Sequence, residues 1–449
     1  MKGFVPTPAP LVDRMVEKLF HRRPPVAGSS LLDPGCGAGA FVEGIIRWCR
    51  RTDAPLPRIT AIDSDPARVA EARANVGHVE GVTVIQRDFL ADPWARFDYI
   101  IGNPPYVPIT DLTTVERARY RARFACASGR FDLYLLFFEQ ALNMLAPDGR
   151  IVLVTPEKFL YVQTAAPLRR RLAQAGLEEI EFVAEETFPG LVTYPAVTTV
   201  GARRIDEPVR ILSREGKRRS VHLDPSGGSW MPAASGHADA SANGTIADLF
   251  ARISCGVATG ADGVFVVPDE LITPEPREFA YPTLSGRELT PGSAFQSRRQ
   301  MLIPYDSNGQ LLPESRLGAL GAYLRNPARR RRLIGRTCVA RKPWYAFHET
   351  PPMEDIRRPK ILCKDIASTP VFVVDGEGAI VPRHSLYYLV PNDSSEIDDL
   401  CEYLNSAGVS RFLRAHCQRA ANDYLRVQSH VLKRVPLPEG IVGGASLRV

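Results

Sequence analysis

Residues 29 to 50 constrain this chain more than any other stretch. Ser29-Ser-Leu-Leu-Asp33 has the length and apolar character of a short buried strand. Pro34-Gly35-Cys36-Gly37-Ala38-Gly39 is a glycine loop, and Ala40 to Arg50 carries apolar residues at helical spacing, Phe41, Ile45 and Trp48. Glycine lets a backbone bend sharply and lets a ligand approach the main chain. Strand, glycine turn and helix in that order make one unit of an open α/β sheet, whose ligands bind at the carboxyl ends of the strands. Two more strands follow, Arg58 to Ile62 ending in Asp63, and Val82 to Gln86 ending near Asp88-Phe89. Asp33, Asp63 and Asp88 therefore fall at or near three successive strand ends. The G-x-G-x-G spacing departs from the G-x-G-x-x-G that wraps a pyrophosphate. Asp33, at the start of the loop, suits a cationic ligand end better than a phosphate. Asp63 fits a pair of ribose hydroxyls. Asp88 can accept from an adenine amino group while Phe89 packs on the ring. Taken singly, each acid would serve equally as a helix cap or loop acid. Asp65 is read as such a cap, with Pro66 at the first helical position.

A fourth apolar run, Phe97 to Gly102, breaks into Asn103-Pro104-Pro105-Tyr106. The prolines fix their own φ, and Pro105 holds Pro104 extended. Rigid acceptors followed by an aromatic face suit the capture of a planar amino-bearing group. Asn103 Oδ1 and the Pro104 carbonyl can take its two N–H protons, and Tyr106 can stack on its ring.

Asp33-Pro-Gly-Cys-Gly-Ala-Gly, Asp63, Asp88-Phe89 and Asn103-Pro-Pro-Tyr, in this order, resemble the motifs of S-adenosylmethionine-dependent amino methyltransferases of DNA. The segment 4–15 resembles that family's amino-terminal cofactor motif. Phe131 to Glu139, Gly149 to Leu160 and Thr187-Phe188-Pro189 extend the match. Gly256 to Val267 looks like the start of a TaqI-type specificity domain, and Leu404-Asn405-Ser406 with Leu432 to Pro438 looks like its end. The order is similar to the gamma arrangement of adenine-N6 enzymes, with target recognition last. The resemblance implies a class I, Rossmann-like methyltransferase fold with a mostly parallel sheet, followed by an α+β recognition domain. It implies S-adenosyl-L-methionine as cofactor, with Thr7 on its carboxylate, the backbone from Asp33 through Gly35, Gly37 and Gly39 along methionine and ribose, Asp63 on the ribose, and Asp88 and Phe89 on the adenine. It implies a flipped adenine held by Asn103 and Pro104, stacked on Tyr106 and closed in by Phe188. Phe188 reads equally well as a core aromatic. Asn103 favours adenine, because the family usually has Ser there for N4-cytosine. RNA and protein glutamine are further amino substrates open to such a motif, and a non-catalytic DNA-binding subunit is the remaining rival. A separate restriction endonuclease is a partner that enzymes of this kind can have.

The catalytic domain is expected over 1–205, a linker over 206–244, the recognition domain over 245–438 and a frayed tail over 439–449. Residues 107–129 read as an irregular mobile loop beside the site. Lys and Arg number 56 against 50 Asp and Glu, a mild excess of +6. Its richest cluster, Arg329-Arg330-Arg331-Arg332 with Trp344 and Tyr345 nearby, fits contact with double-stranded DNA, or a solvated helix face. Arg169-Arg170-Arg171 reads as the latter. The eight cysteines form no C-x-x-C and the eight histidines no H-E-x-x-H, so no metal site is expected. Cys36 reads as packing. No apolar leader or membrane-length run stands out, so a cytoplasmic, nucleoid-associated monomer is the expectation.

Overall fold

The computed structural model describes residues 5–91, 95–188, 194–202, 207–236, 244–272, 277–290, 297–420 and 424–437. Two units divide the chain, 1–238 and 239–449. The frayed tail expected over 439–449 lies outside the described residues.

The first unit opens with α1 (Ala9–Phe20), started by Pro8 and Pro10, which buries Leu11, Val12, Met15, Val16, Leu19 and Phe20 along one face. Then come β1 (Ser30–Pro34), α2 (Ala40–Thr52), β2 (Arg58–Asp63), α3 (Pro66–Val76), β3 (Val82–Gln86) and β4 (Phe97–Gly102). After these follow α4 (Thr114–Arg123), α5 (Leu133–Asn143), β5 (Leu145–Pro156), α6 (Ala166–Gln174), β6 (Leu177–Phe182), β7 (Pro195–Val200), β8 (Val209–Leu212), β9 (Arg218–Val221) and α7 (Met231–Ser235). Among the described residues the sheet has nine strands in the order β3-β2-β1-β4-β5-β7-β6-β8-β9. Strands β3, β2, β1, β4 and β5 are parallel, and β7 runs antiparallel between β5 and β6. Strand order reverses between β1 and β4, the switch point where such sheets leave a crevice. Asp33 and Asn103 stand on either side of it. An apolar core covers each face of the sheet, as a parallel sheet requires.

Three expectations are corrected in this unit. Residues 107–129 are not an irregular loop: a 3-10 turn (Ile109–Asp111) and α4 fill much of them, with Leu112, Tyr120 and Phe124 buried. Residues 206–244 are not simply a linker, because β8 and β9 extend the sheet; β9 forms its margin, with Arg218, Arg219 and Ser220 exposed. Trp230 is fully buried in the same core and donates from Nε1 to the Asp224 carbonyl at 2.7 Å. Arg169, read from the sequence as part of a solvated helix face, is instead buried as well, the third correction. Its guanidinium donates to the carbonyls of Gly227, Phe159 and Val162, so it clasps this segment to the unit.

The second unit carries an antiparallel sheet of Phe250–Cys255, Leu386–Pro391, Lys360–Lys364 and Phe372–Asp375, in that spatial order. A second sheet joins Val266–Pro268, Arg299–Leu302, Ala280–Leu284 and Val381–Pro382. A small third sheet joins Ile366–Ala367, Tyr424–Arg426 and Gln418–Ala420. Within Gly256 to Val267 a helical turn, Asp262–Phe265, precedes the strand Val266–Pro268. Asn405, expected near the end of the specificity domain, mimics backbone: it accepts from the Phe372 N–H and donates to the Phe372 carbonyl. Among the described residues no helix is long and apolar enough to cross a membrane.

Candidate active site

The glycine loop is held by its own geometry. Gly35, Gly37 and Gly39 all have positive φ (83°, 54° and 95°), which explains why three glycines recur here. The N–H groups of Gly35 and Cys36 both donate to the Ile62 carbonyl at 2.8 Å. Asp63 Oδ2 accepts from Gly37 N–H at 3.1 Å, and its Oδ1 accepts from Asp65 N–H at 2.9 Å. One carboxylate thus fixes the loop and the entry to α3 while lining the cavity. Asp65 caps α3 as expected, accepting from Ala67 N–H at 2.9 Å with Pro66 next. The Cys36 thiol is buried and pushed up by desolvation, then by Asp33 and Asp63, as befits a packing residue.

A cavity of about 370 Å³ lies at this strand edge. Its lining includes Gly35, Asp63, Asp88, Phe89 and Asn103, so the structure brings these sequence-predicted residues to one place. Asp33 is fully buried and is not in the lining. Among the described residues neither of its oxygens has a hydrogen-bond partner. Desolvation, then the neighbouring Asp63, pushes its pKa well up. A side chain on Gly102 would come within 3.3 Å of Asp33 Oδ1, which keeps that position small.

Asn103 is oriented unambiguously. Its Nδ2 donates to the Val5 carbonyl at 3.0 Å and to Thr7 Oγ1 at 3.1 Å. A backbone carbonyl only accepts, so the amide cannot be reversed, and Oδ1 is left buried without a partner among the described residues. Thr7 stands half-buried behind Asn103, outside the lining. Pro104 is buried, and Pro105 lines the cavity. Tyr106 donates to the Val154 carbonyl at 3.4 Å and meets Tyr134 edge-on, ring centroids 6.3 Å apart. Desolvation, then Asp132, raises its phenol, so it stays neutral. Asp132 itself is pushed up to about 6 by burial. Phe188 is buried in the core with Val183 and Val197 and does not line the cavity. Of the two readings that the sequence leaves open for Phe188, its surroundings are those of a core aromatic.

At the far end, Asp88 Oδ1 accepts from Leu90 N–H at 2.9 Å and closes the turn that carries Phe89. Gln140 of α5 braces that turn by donating to the Phe89 and Ala91 carbonyls. Phe89 packs on Phe137, centroids 5.0 Å apart. The sequence reading missed Val5, Leu112, Glu116, Arg119 and Tyr120 as site residues. Thr113-x-x-Glu116 was the available signal, since it forms the capping box that starts α4.

The donor set fits S-adenosylmethionine: an acidic end for an ammonium, a carboxylate beside the glycine loop for a ribose, and an aromatic-walled acidic end for an adenine. The orphaned buried oxygens of Asp33 are what such a cation would satisfy. In the second unit, Arg329 lies over the Tyr323 ring at 3.7 Å and donates to the Tyr323 carbonyl. Arg330 faces Trp344 at 5.5 Å, while Arg331 and Arg332 are exposed.

Three family descriptions match the chain: a methyltransferase small domain over 12–119, an Eco57I restriction-modification methylase over 80–188, and a TaqI-like C-terminal specificity domain over 327–437. The chain is 24% identical to the type II methyltransferase M.XhoI of Xanthomonas vasicola, over 96% of its own length and 83% of that protein. It is 25% identical to M.PaeR7I of Pseudomonas aeruginosa, over 97% of itself and 86% of that protein. Its fold is similar to that of the chain in the DrdV–DNA complex, with a TM-score of 0.54 and 14% identity over 92% of this chain and 53% of that one. The first unit thus has the class I S-adenosylmethionine-dependent methyltransferase fold, S-adenosylmethionine is its cofactor, and a specificity domain follows.

Proposed function

We propose, from the premise that the chain is a TaqI-like restriction-modification methyltransferase, that it methylates the N6 amino group of an adenine flipped out of double-stranded DNA. The observation that carries this is Asn103: a buried, unpartnered Oδ1 held in place by two bonds on the other side of the same amide. An orphaned acceptor at a cavity wall calls for an N–H donor from a ligand. Asn103 Oδ1 takes one amino proton of the base and the Pro104 carbonyl the other. Both N–H bonds are then fixed, and the nitrogen lone pair is turned out of conjugation with the ring. Tyr106, neutral and pinned by Val154 and Tyr134, offers a rigid face for the extruded base. Stacking there offsets part of the few kcal/mol that flipping costs. S-adenosylmethionine, when bound, supplies an electrophilic methyl group. The protein's share is position and charge: Asp33 meets the ammonium, Asp63 the ribose, and Asp88 with Phe89 the adenine. The second unit is proposed to read the DNA sequence. A monomer acting beside a separate endonuclease is the expected setting.

The test is product analysis after incubation with labelled S-adenosylmethionine and unmethylated DNA, RNA or cell protein in parallel. N6-methyladenine in DNA alone is expected. N4-methylcytosine, or label in RNA or protein, would replace the substrate named here. Asn103→Ala should abolish transfer, by at least about 10²-fold, while leaving S-adenosylhomocysteine binding within about twofold in calorimetry. Loss of binding as well, with the fold intact, would remove Asn103 from the role given.

A further inference from the structure

We propose that Arg119 is a positioning residue for the cofactor: it holds the Asp88 carboxylate toward the adenine amino group and so sets the enzyme's preference for a 6-amino purine. The inference rests on the reading of the cavity as the S-adenosylmethionine site, with Asp88 at its adenine end.

The geometry that supports it lies in the segment after Tyr106. Helix α4 contributes Glu116, Arg119 and Tyr120 to the cavity wall, beside Asp111 and Leu112 from the preceding turn. Arg119 donates to Asp88 Oδ2 at 3.1 Å and to the Tyr120 phenol oxygen at 3.1 Å, and its guanidinium lies over the Tyr120 ring at 4.9 Å. Tyr120 is itself buried, so the fork is seated on a fixed base. Leu90 N–H takes Asp88 Oδ1, and Arg119 takes Oδ2. An ionised carboxylate has about four acceptor positions, so two remain for a ligand after both contacts are made. The two contacts on opposite oxygens stop the carboxylate from rotating. The remaining acceptor sites then keep one direction, and the charge stays balanced when the cavity fills. Arg123 of the same helix donates to the Ala91 carbonyl, which ties α4 to the turn that carries Asp88 and Phe89.

An element that merely covered the cavity would treat every ligand alike. A residue that aims Asp88 affects only ligands that present a donor at the purine 6-position. The experiment compares S-adenosylhomocysteine with its 6-deamino analogue, in which purine riboside replaces adenosine, by calorimetry on the full chain. The wild type, Arg119→Ala and Arg117→Ala are measured. Arg117, on the same helix, bonds to Thr113 and Thr114 among the described residues and controls for the lost charge. The wild type is expected to prefer the amino ligand. Arg119→Ala should cut that preference about twofold to fivefold, the range of a half-exposed ion pair, with the deamino affinity unchanged. Arg117→Ala should leave the preference intact. Equal loss for both ligands in Arg119→Ala, or no change, would overturn the positioning role. If the wild type binds both ligands equally, Asp88 does not read the amino group and the inference falls with it. If the wild type binds neither, the cofactor-site reading fails instead.

Discussion

Asp33 shows how a single residue can be costly to the empty protein and useful to the loaded one. A buried carboxyl without a partner, facing Asp63, disfavours its charged form. The folded state therefore holds its proton to higher pH than the unfolded chain. Between the ordinary aspartate range and the raised value, the folded state binds more protons, so stability falls as pH rises through that window. Asp33→Asn should stabilise the cofactor-free protein at pH 7 by about 1 to 3 kcal/mol, and the gain should shrink toward pH 4. Thermal unfolding at a series of pH values measures it. Added S-adenosylhomocysteine should raise the melting temperature of the wild type more than that of the variant. An equal rise would detach Asp33 from the ligand. The three acids and Asn103 stood out in the sequence because each sits at or near a strand end, and the three glycines because they recur within one loop. The anchoring of Asn103 by Val5 was not, since a backbone carbonyl has no side-chain signature. Phe188 could be read two ways because a pocket wall and a core draw on the same residue type.

At the scale of elements, what escaped the sequence is explained by its weak patterning. Helix α4 buries only Tyr120 among four arginines, so no apolar period marks it, and its capping box was the sole local cue. Strands β8 and β9 have four residues each, too short for alternation to stand out in a basic, serine-rich stretch. What makes that stretch part of the first unit is a contact across the fold, Arg169 with the Gly227 carbonyl, invisible to local patterning. Burial pushes the Arg169 guanidinium down to about 10, which shows how far it is removed from water. Arg169→Ala would strand the Gly227 and Phe159 carbonyls, while that of Val162 keeps the Ala165 N–H, and would leave a void. A loss of about 4 kcal/mol is expected, read as a lower urea midpoint. A shift below about 1 kcal/mol would mean that the segment is held by other contacts. By contrast, α2 and strands β1 to β4 were read nearly to their ends, because their apolar faces are broad and regular.

At the scale of the whole molecule, the excess of +6 is small, and its distribution matters more. Arg329 is occupied by Tyr323, whereas Arg330, which faces Trp344, and Arg331 and Arg332 are exposed. If this helix meets a phosphate backbone, Arg331→Glu with Arg332→Glu should weaken duplex binding about tenfold or more at 0.1 M salt. The slope of log affinity against log salt should also flatten by about 1 to 2. Unchanged affinity at two salt concentrations would move the DNA face elsewhere. S-adenosylhomocysteine binding serves as the control for fold, since the cofactor cavity lies in the other unit.

Strand β9 has a bearing on how the protein behaves at high concentration. An open sheet always ends in a row of unsatisfied amides and carbonyls, which a neighbouring copy can extend into a ribbon. Among the described residues that row is four residues long, and adjacent guanidinium groups on Arg218 and Arg219 stand along it. Two such margins brought together would repel before they could knit. The stretch that looked like spacer in the sequence thus acts as a selvedge, a finished border that keeps the fabric of the sheet from being continued by another molecule.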